Sequence, residues 1–271
     1  SNPSWVISSI PQSDILYAFA ARRSVAKPWT IFLHGQPYPL RGQASWAKRT
    51  IWKWLWRWSA KRADLVIAVS EAIAELAPPG PRVIVIPPPM PDLPKRDHAS
   101  ARPRSVGFVG RMSYEKDPAL FAEIAEKAAR PAIAYGAGEL LPRMRSQYRS
   151  IDWRGESHDL AEVFSQFSTL LVTSRSEGLS LVMLEAATMG VPSLAVGIGG
   201  IPSVVHPQNR ELMLVPPAQR ANVGEWAWRL NALDDEATRK RVTGLQLEWV
   251  RHVVDARTVS DRIAAALREI S

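Results

Sequence analysis

The sequence predicts an α/β protein of two doubly wound parallel-sheet domains, the first of them incomplete. Two observations carry that expectation. Short apolar runs alternate with amphipathic stretches along the whole chain, the pattern of repeated strand–helix–strand units. A Pro-dense segment from Pro78 to Pro94, with eight of the 22 prolines, divides that alternation into two series and reads as an extended linker. The length of 271 residues suits two domains at roughly 150 residues each.

In the first series, residues 5–8, 30–33, 65–69 and 83–86 read as buried strands, because they are short and rich in β-branched and aromatic residues. Helical stretches are expected near 13–23, 45–62 and 71–76. The second series gives strands at 106–109, 132–135, 151–153, 170–173 and 192–196, with a sixth at 212–215. The tail from 222 to 270 reads as helical. The domain boundaries that follow are 1–92 for the first domain, 93–103 for the linker and 104–271 for a second domain ending in helices.

Hydrophobic residues make up 46% of the chain and charged residues 22%, enough for a substantial core. A net charge of +8 favours polyanions, anionic lipid surfaces or phosphorylated substrates as partners. No RNA- or DNA-reading motif accompanies that charge, so nucleic acid is set aside. The chain has no cysteine, which excludes disulfides and thiolate chemistry. No apolar run approaches the ~20 residues needed to cross a bilayer.

The stretch 176–185 holds the densest chemical signal. Glu177 and Glu185 lie eight positions apart, the second inside an apolar segment that reads as a helix. Gly178 lacks a Cβ and leaves room for a ligand to approach the backbone. A helix starting near Ser180 offers unpaired N–H groups and a positive dipole end to an anion. Eight helical residues would span about 12 Å, which suits a ligand with hydroxyls at both ends and phosphates between: a nucleotide-sugar.

Other elements fall at strand ends. Gly110 and Arg111 follow the strand ending at Val109, and Lys116 comes five positions after Arg111. Two fixed cations in a strand–helix loop suit a diphosphate. Gly136 and Gly138 follow the next strand, and Gly199 and Gly200 follow a later one. Singly, each has a plain structural explanation: a solvated cation pair, a turn, a solvent-facing helix residue. Their convergence on strand ends points to a site.

With these residues the chain resembles the family 4 retaining glycosyltransferases of GT-B fold, whose two domains are Rossmann-like. The matching pieces are Val109–Gly110–Arg111 with Glu115–Lys116, the Glu-x7-Glu motif followed by Gly190–Val191–Pro192, and Gly199–Gly200–Ile201–Pro202. The run from Arg62 to Ser70 and Ile84–Val85–Ile86–Pro87 also match. The resemblance implies that Arg111 and Lys116 hold the diphosphate. It implies that Glu177 meets the donor sugar and Glu185 the ribose, with backbone N–H groups of Leu179 and Ser180 at the distal phosphate. Gly110, Gly136, Gly138 and Gly178 then line the donor, backbone groups around Trp153 and Arg154 meet the base, and His34 stands near the reacting centre. The other four histidines show no ligand spacing.

The implied activity is retaining transfer of a sugar from a UDP- or GDP-sugar to a glycan or lipid-linked acceptor, in polysaccharide or glycolipid assembly. The first domain would be the acceptor side. No cofactor is implied, because the nucleotide-sugar is a co-substrate. No Asp-x-Asp occurs in the chain, so metal-independent transfer is expected. Two rivals remain: a nucleotide-sugar epimerase, against which the Glu-x7-Glu motif beside Arg111 and Lys116 argues, and a non-catalytic binding or scaffold chain.

Departures from the family pattern accompany the match. The family's first domain opens with further strand–helix units, so an N-terminally truncated chain with an exposed sheet edge is expected, either inactive on its own or leaning on a partner or dimer mate. Pro88 and Pro89 stand where Asn-Gly is common, and Ser203 where an acidic residue is usual.

A Trp-rich basic segment adds a partner expectation. Trp46, Trp52, Trp54, Trp56 and Trp58 interleave with Arg49, Lys53, Arg57 and Lys61, the cations recurring every fourth residue. Trp46, Lys53, Trp54, Trp56, Arg57 and Trp58 are expected to meet an anionic membrane surface. The alternative is an ordinary helix with a solvated basic side. The expected location is cytoplasmic, with peripheral attachment to the inner face of the cell membrane.

Overall fold

A computed structural model describes residues 5–21, 27–89 and 104–270. The expected linker 93–103 lies outside the described residues. The chain divides into two compact units, one of Ser1–Met90, Ser176–Leu179 and Val254–Ser271, the other of Pro91–Arg175 and Ser180–Val253.

The first unit is a four-stranded parallel sheet, β1 (Val6–Ser8), β2 (Trp29–Leu33), β3 (Leu65–Ala68) and β4 (Arg82–Val85), in the spatial order β1-β2-β3-β4. Three helices connect them: α1 (Pro11–Ala20), α2 (Trp46–Ala60) and the single turn α3 (Glu71–Ala74). All four residues of β3 are buried, as a central parallel strand covered on both faces requires. Pro11 occupies the first turn of α1, where a missing N–H costs nothing. Ser45 caps α2 by accepting the Lys48 N–H.

Two expectations are corrected here. The segment 78–94 is not linker throughout, because β4 lies inside it as an edge strand flanked by Pro81 and Pro87. Proline is tolerated at such an edge, where ladder N–H groups are not all needed. The C-terminal helix Ala256–Arg268 also departs from the 104–271 assignment. It packs Val259, Ala266 and Leu267 on Leu65, Ile67 and Ile86 of the first unit. Arg262 donates to the Val85 carbonyl at 2.7 Å, and Arg82 pairs with Glu269.

Helix α2 is split by burial in a way its periodicity hid. Trp46 and Trp54 are 77% and 63% exposed, but Trp56 is fully buried and does not belong to any surface. Its indole donates to buried Asp14 of α1 at 3.0 Å, so one tryptophan of the row anchors helix to helix. Trp58 is half-buried, its ring against Phe19 and beneath the Arg62 guanidinium. Arg57 is also partly committed, donating to the Leu76 carbonyl at 3.3 Å.

The second unit is a six-stranded parallel sheet. In chain order its elements are β5 (Val106–Val109), α4 (Pro118–Lys127), β6 (Ala132–Tyr135), α5 (Leu141–Gln147), β7 (Asp152–Trp153), α6 (Leu160–Ser165) and β8 (Thr169–Val172). There follow α7 (Leu181–Thr188), β9 (Ser193–Val196), α8 (Ile201–Val204), α9 (Arg210–Met213), β10 (Leu214–Val215), α10 (Val223–Asp234) and α11 (Glu236–Val253), while α12, the helix Ala256–Arg268, belongs to the first unit. The sheet order β10-β9-β8-β5-β6-β7 reverses direction between β5 and β8. Loops leaving the carboxyl ends of those two strands therefore diverge, the topological switch that opens a ligand crevice in such sheets. The expected strand 212–215 is shorter than predicted, because 210–213 form α9 and only Leu214 and Val215 pair with β9. The core fills both faces of the sheet with Phe108, Phe121, Phe164, Phe167 and Trp226.

Burial pushes the Asp14 carboxyl up from its ordinary range, against the opposing effect of hydrogen bonds from Ser8 and Trp56. A raised folded-state value means stability present at low pH is lost as pH rises through it. Trp56→Phe removes a donor to that carboxylate and raises its value further. The expected loss is about 2–3 kcal/mol at pH 7, a charged group's hydrogen bond, with the pH-dependent part vanishing near pH 4. Urea denaturation at the two pH values measures both parts.

Candidate functional site

The loops at the carboxyl ends of β5, β6 and β7 are joined in series by backbone hydrogen bonds. Gly136 N–H donates to the Gly155 carbonyl at 3.1 Å, and Met112 N–H to Ala137 at 2.8 Å. Gly110 N–H donates to Tyr135 at 3.0 Å, and the Met112 carbonyl accepts from Leu140 at 3.0 Å. At Gly136 a Cβ would run into the Gly110 carbonyl, and its φ of 134° suits glycine. The sequence reading took Gly136 and Gly138 as room for a ligand. Their space is instead taken by the neighbouring loop, at Gly110 and Met112. The result fixes the backbone beneath Arg111, which is exposed.

Lys116 is half-buried on the same loop, before an unusual residue. Asp117 caps α4 in the left-handed region with φ 52° and is buried. Its carboxylate pairs with Arg175 at 2.6 Å and with Arg220. Arg220 also donates to the Thr173 carbonyl at 2.7 Å, while the Thr173 hydroxyl donates to the carbonyls of Lys116 and Asp117 at 3.1 and 3.0 Å. The Arg175 N–H donates to Glu115 at 2.7 Å. None of Asp117, Thr173, Arg175 or Arg220 stood out in the sequence. A helix-starting Asp-Pro is a routine cap signal, and no spacing links position 220 to position 117.

After β8 the chain reaches α7. The helix begins at Leu181, so Glu177 lies in the loop before it and the eight-residue helical span does not apply. Ser180 is its cap residue but gives no side-chain cap bond, and its buried hydroxyl lacks a protein partner among the described residues. The first N–H groups of α7 have no intrahelical acceptor by geometry. Glu185, one turn further, is half-buried, and burial raises its pKa. Met183, Leu184, Ala186 and Ala187 fix the helix in the core. Gly190 closes it in the left-handed conformation, with Val191 N–H returned to the Ala186 carbonyl at 2.8 Å.

Trp153 and Arg154 turn their side chains elsewhere. The Trp153 ring is buried against Phe121, and its indole donates to the Tyr148 carbonyl at 2.9 Å. The Arg154 guanidinium holds Asp152 and the Tyr135 hydroxyl. The Ser203 hydroxyl is spent on the Gly200 carbonyl at 2.7 Å.

The segment Ser176–Leu179 groups with the first unit. A Cβ on Gly178 would run into the His34 carbonyl at the end of β2, and the Ser70 hydroxyl donates to the Gly178 carbonyl at 2.8 Å. Gly178 therefore serves close backbone packing. Glu177 and Leu179, either side of it, are buried. His34 lies ring to ring with Phe32 at 4.8 Å, and desolvation lowers its pKa, which leaves the imidazole neutral at pH 7. Among the described residues no cluster of three His, Cys, Asp or Glu could hold a metal ion.

Residues 103–233 match the family model described as glycosyl transferases group 1, and residues 2–89 the glycosyl transferase 4-like domain. Both stretches thus match glycosyl transferase domains, and together they take in most of the chain. The O-antigen biosynthesis glycosyltransferase WbnH of Escherichia coli is 26% identical over 147 residues, 53% of this chain and 42% of WbnH. The D-inositol 3-phosphate glycosyltransferase of Mycobacterium bovis (strain BCG / Pasteur 1173P2) is 32% identical over 138 residues, 46% of this chain and 28% of that protein. The matches thus span less than half the length of either relative. Anabaena HepE, solved in complex with UDP-glucose, superposes with a TM-score of 0.77 at 18% identity, covering 98% of this chain and 79% of HepE. That likeness shows the fold, two parallel-sheet α/β domains of GT-B type.

Glu185 gives a prediction in which stability and binding move oppositely. Its raised pKa places its stabilising contribution at low pH, lost as pH rises through the folded value. Glu185→Gln should raise the melting temperature of the ligand-free protein at pH 7 by about 2–4 °C, with the gain disappearing near pH 4. The same variant should lose most of the thermal shift given by a nucleoside diphosphate. Differential scanning fluorimetry reads both.

Proposed function

We propose that this chain transfers a sugar, with retention at the anomeric carbon and without a divalent metal, from a UDP- or GDP-sugar to a glycan or lipid-linked acceptor. The observation that carries the reading is the switch between β5 and β8, with Arg111 and Lys116 on the loop of one strand and the start of α7 after the other. Breaking the sugar–phosphate bond leaves negative charge on the nucleoside diphosphate. Two cations and a helix N-terminus meet that charge as it forms, which is preorganised electrostatic catalysis. Glu185, half-buried and with its pKa raised by burial, suits ribose hydroxyls as donors. The family resemblance assigns Glu177 to the donor sugar and His34 to the reacting centre. Retention rests on the resemblance of the Glu-x7-Glu and Gly-Arg/Glu-Lys motifs to the retaining family. Metal independence rests on the absence of Asp-x-Asp in the sequence. The UDP-glucose held by HepE favours a UDP-sugar, and the O-antigen role named for WbnH favours a cell-envelope acceptor.

Thermal-shift screening against UDP-, GDP- and ADP-sugars identifies the donor, because native-state ligands raise apparent stability. Donor hydrolysis or transfer should persist in EDTA and fall about 100-fold or more in Lys116→Ala and in Glu177→Ala. Activity abolished by chelation and restored by Mn²⁺ or Mg²⁺ would refute the metal-independent step. Undiminished turnover in both variants would refute the site.

The acceptor reading includes attachment to the inner face of the cell membrane through the outer side of α2. Trp46 and Trp54 stand exposed there with Lys48, Lys53 and Lys61, and no acidic residue occurs between 41 and 63. Indoles and ammonium groups arranged this way suit a headgroup layer. No helix among the described residues is long and apolar enough to cross a membrane. Flotation with anionic liposomes at low salt should carry the protein upward, and Lys53→Glu with Lys61→Glu should leave it at the bottom. Equal flotation with neutral liposomes would count against the electrostatic part.

A further inference from the structure

We infer that Asp117, with Arg175 and Arg220, is a positioning group for the diphosphate-binding loop, acting through Lys116 rather than on the substrate. The inference rests on the proposed nucleotide-sugar site. It starts from a conformation that needs support. A non-glycine residue in the left-handed region is held there only by its surroundings. At Asp117 that support is ionic and side-specific. Its buried carboxylate lies between two guanidiniums, one from the segment after β8 and one from the chain after β10.

Each partner is itself fixed. Arg220 donates to the Thr173 carbonyl, and its own carbonyl accepts the Trp226 indole N–H at 2.9 Å, with Trp226 fully buried in the core. The Arg175 guanidinium lies over the Tyr114 ring at 4.6 Å, and its backbone N–H holds Glu115. The Thr173 hydroxyl closes the circuit by sharing its proton between the carbonyls of Lys116 and Asp117, one on each side of the Asp117 Cα. Three chain segments are thereby tied to the backbone of Lys116: the loop after β5, the end of β8 and the loop carrying Arg220. A buried carboxylate with two guanidiniums fixes direction better than an apolar contact would, because each hydrogen bond has a preferred line.

Arg175 also directly precedes Ser176 and Glu177 in the chain. The ion cluster thus sets the backbone of Lys116 and ends one residue before the segment that carries Glu177. A misplacement of about 1 Å at a charge-stabilising group is enough to cost about 100-fold in rate.

The test compares three variants by donor hydrolysis, using the nucleotide-sugar that gives the largest thermal shift with the unaltered protein. Asp117→Asn keeps the size and the tolerance for left-handed backbone but removes the charge. Asp117→Gly keeps only the backbone conformation. Arg220→Gln removes one guanidinium. A positioning role gives a kcat about ten- to hundredfold lower in all three, measured well below each melting temperature, with KM changed less than about threefold. The double variant Asp117→Asn with Arg220→Gln should be no slower than the worse single one, since residues acting as one unit are not additive. Wild-type kcat in Asp117→Gly or Asp117→Asn, with only the melting temperature lowered, would overturn the inference and leave the site reading standing. Failure of the unaltered protein to bind or turn over any nucleotide-sugar would overturn the site reading itself.

Discussion

The backbone contact between the loops that leave β5 and β6 is the constraint on which the second unit's working face depends. Gly136 can lie against the Gly110 carbonyl only because Gly136 carries no side chain at that point. The closeness lets Met112 bond in both directions, to Ala137 and from Leu140, and so sets the height of Arg111 above the sheet. A side chain at Gly136 would force the loops apart and lift the cation with them. The glycines are thus structural in cause and functional in effect. They do not make space for a ligand but remove the freedom of the loop that would meet one.

Much of the architecture was legible from local pattern. Nine of the ten strands among the described residues lie within one residue of where hydrophobic runs placed them, because buried parallel strands are short, apolar and bounded by turn residues. The tenth, β10, was overextended because a turn of helix and a strand look alike over four apolar-rich residues. The C-terminal helix was recognised as a helix but assigned to the wrong sheet, since periodicity reveals which face is apolar and not what covers it. Trp56 shows the same limit from the other side. Five tryptophans in one helix read alike in sequence, and only the position of Asp14, far away in the chain, selects one for burial.

The candidate site was legible where a motif is contiguous and illegible where a residue works at long range. Gly110, Arg111, Lys116, Ser180 and Glu185 fall on one unit's strand-end loops and helix, and His34 and Gly178 meet in the other. Trp153 and Arg154 are on the expected strand end, but their side chains serve the core and an internal ion pair. Asp117 and its two arginines left no trace in spacing, because an ion cluster made of positions 117, 175 and 220 is assembled only by the sheet topology. Its charge balance also matters for reading the net charge of the chain. Two of the cations near the proposed anion site are already neutralised in part by a carboxylate, so the field there comes from fewer groups than composition suggests.

The return of the C-terminal helix to the first unit has a consequence for how the molecule is made. Leu65, Ile67 and Ile86 precede the whole second unit in the chain, yet the residues that cover them, Val259, Ala266 and Leu267, follow it. A domain that ordinarily folds as it leaves the ribosome must here keep an apolar face open while the whole of the other unit is translated. During that interval the nascent chain offers an uncovered parallel sheet to chaperones and to its own copies.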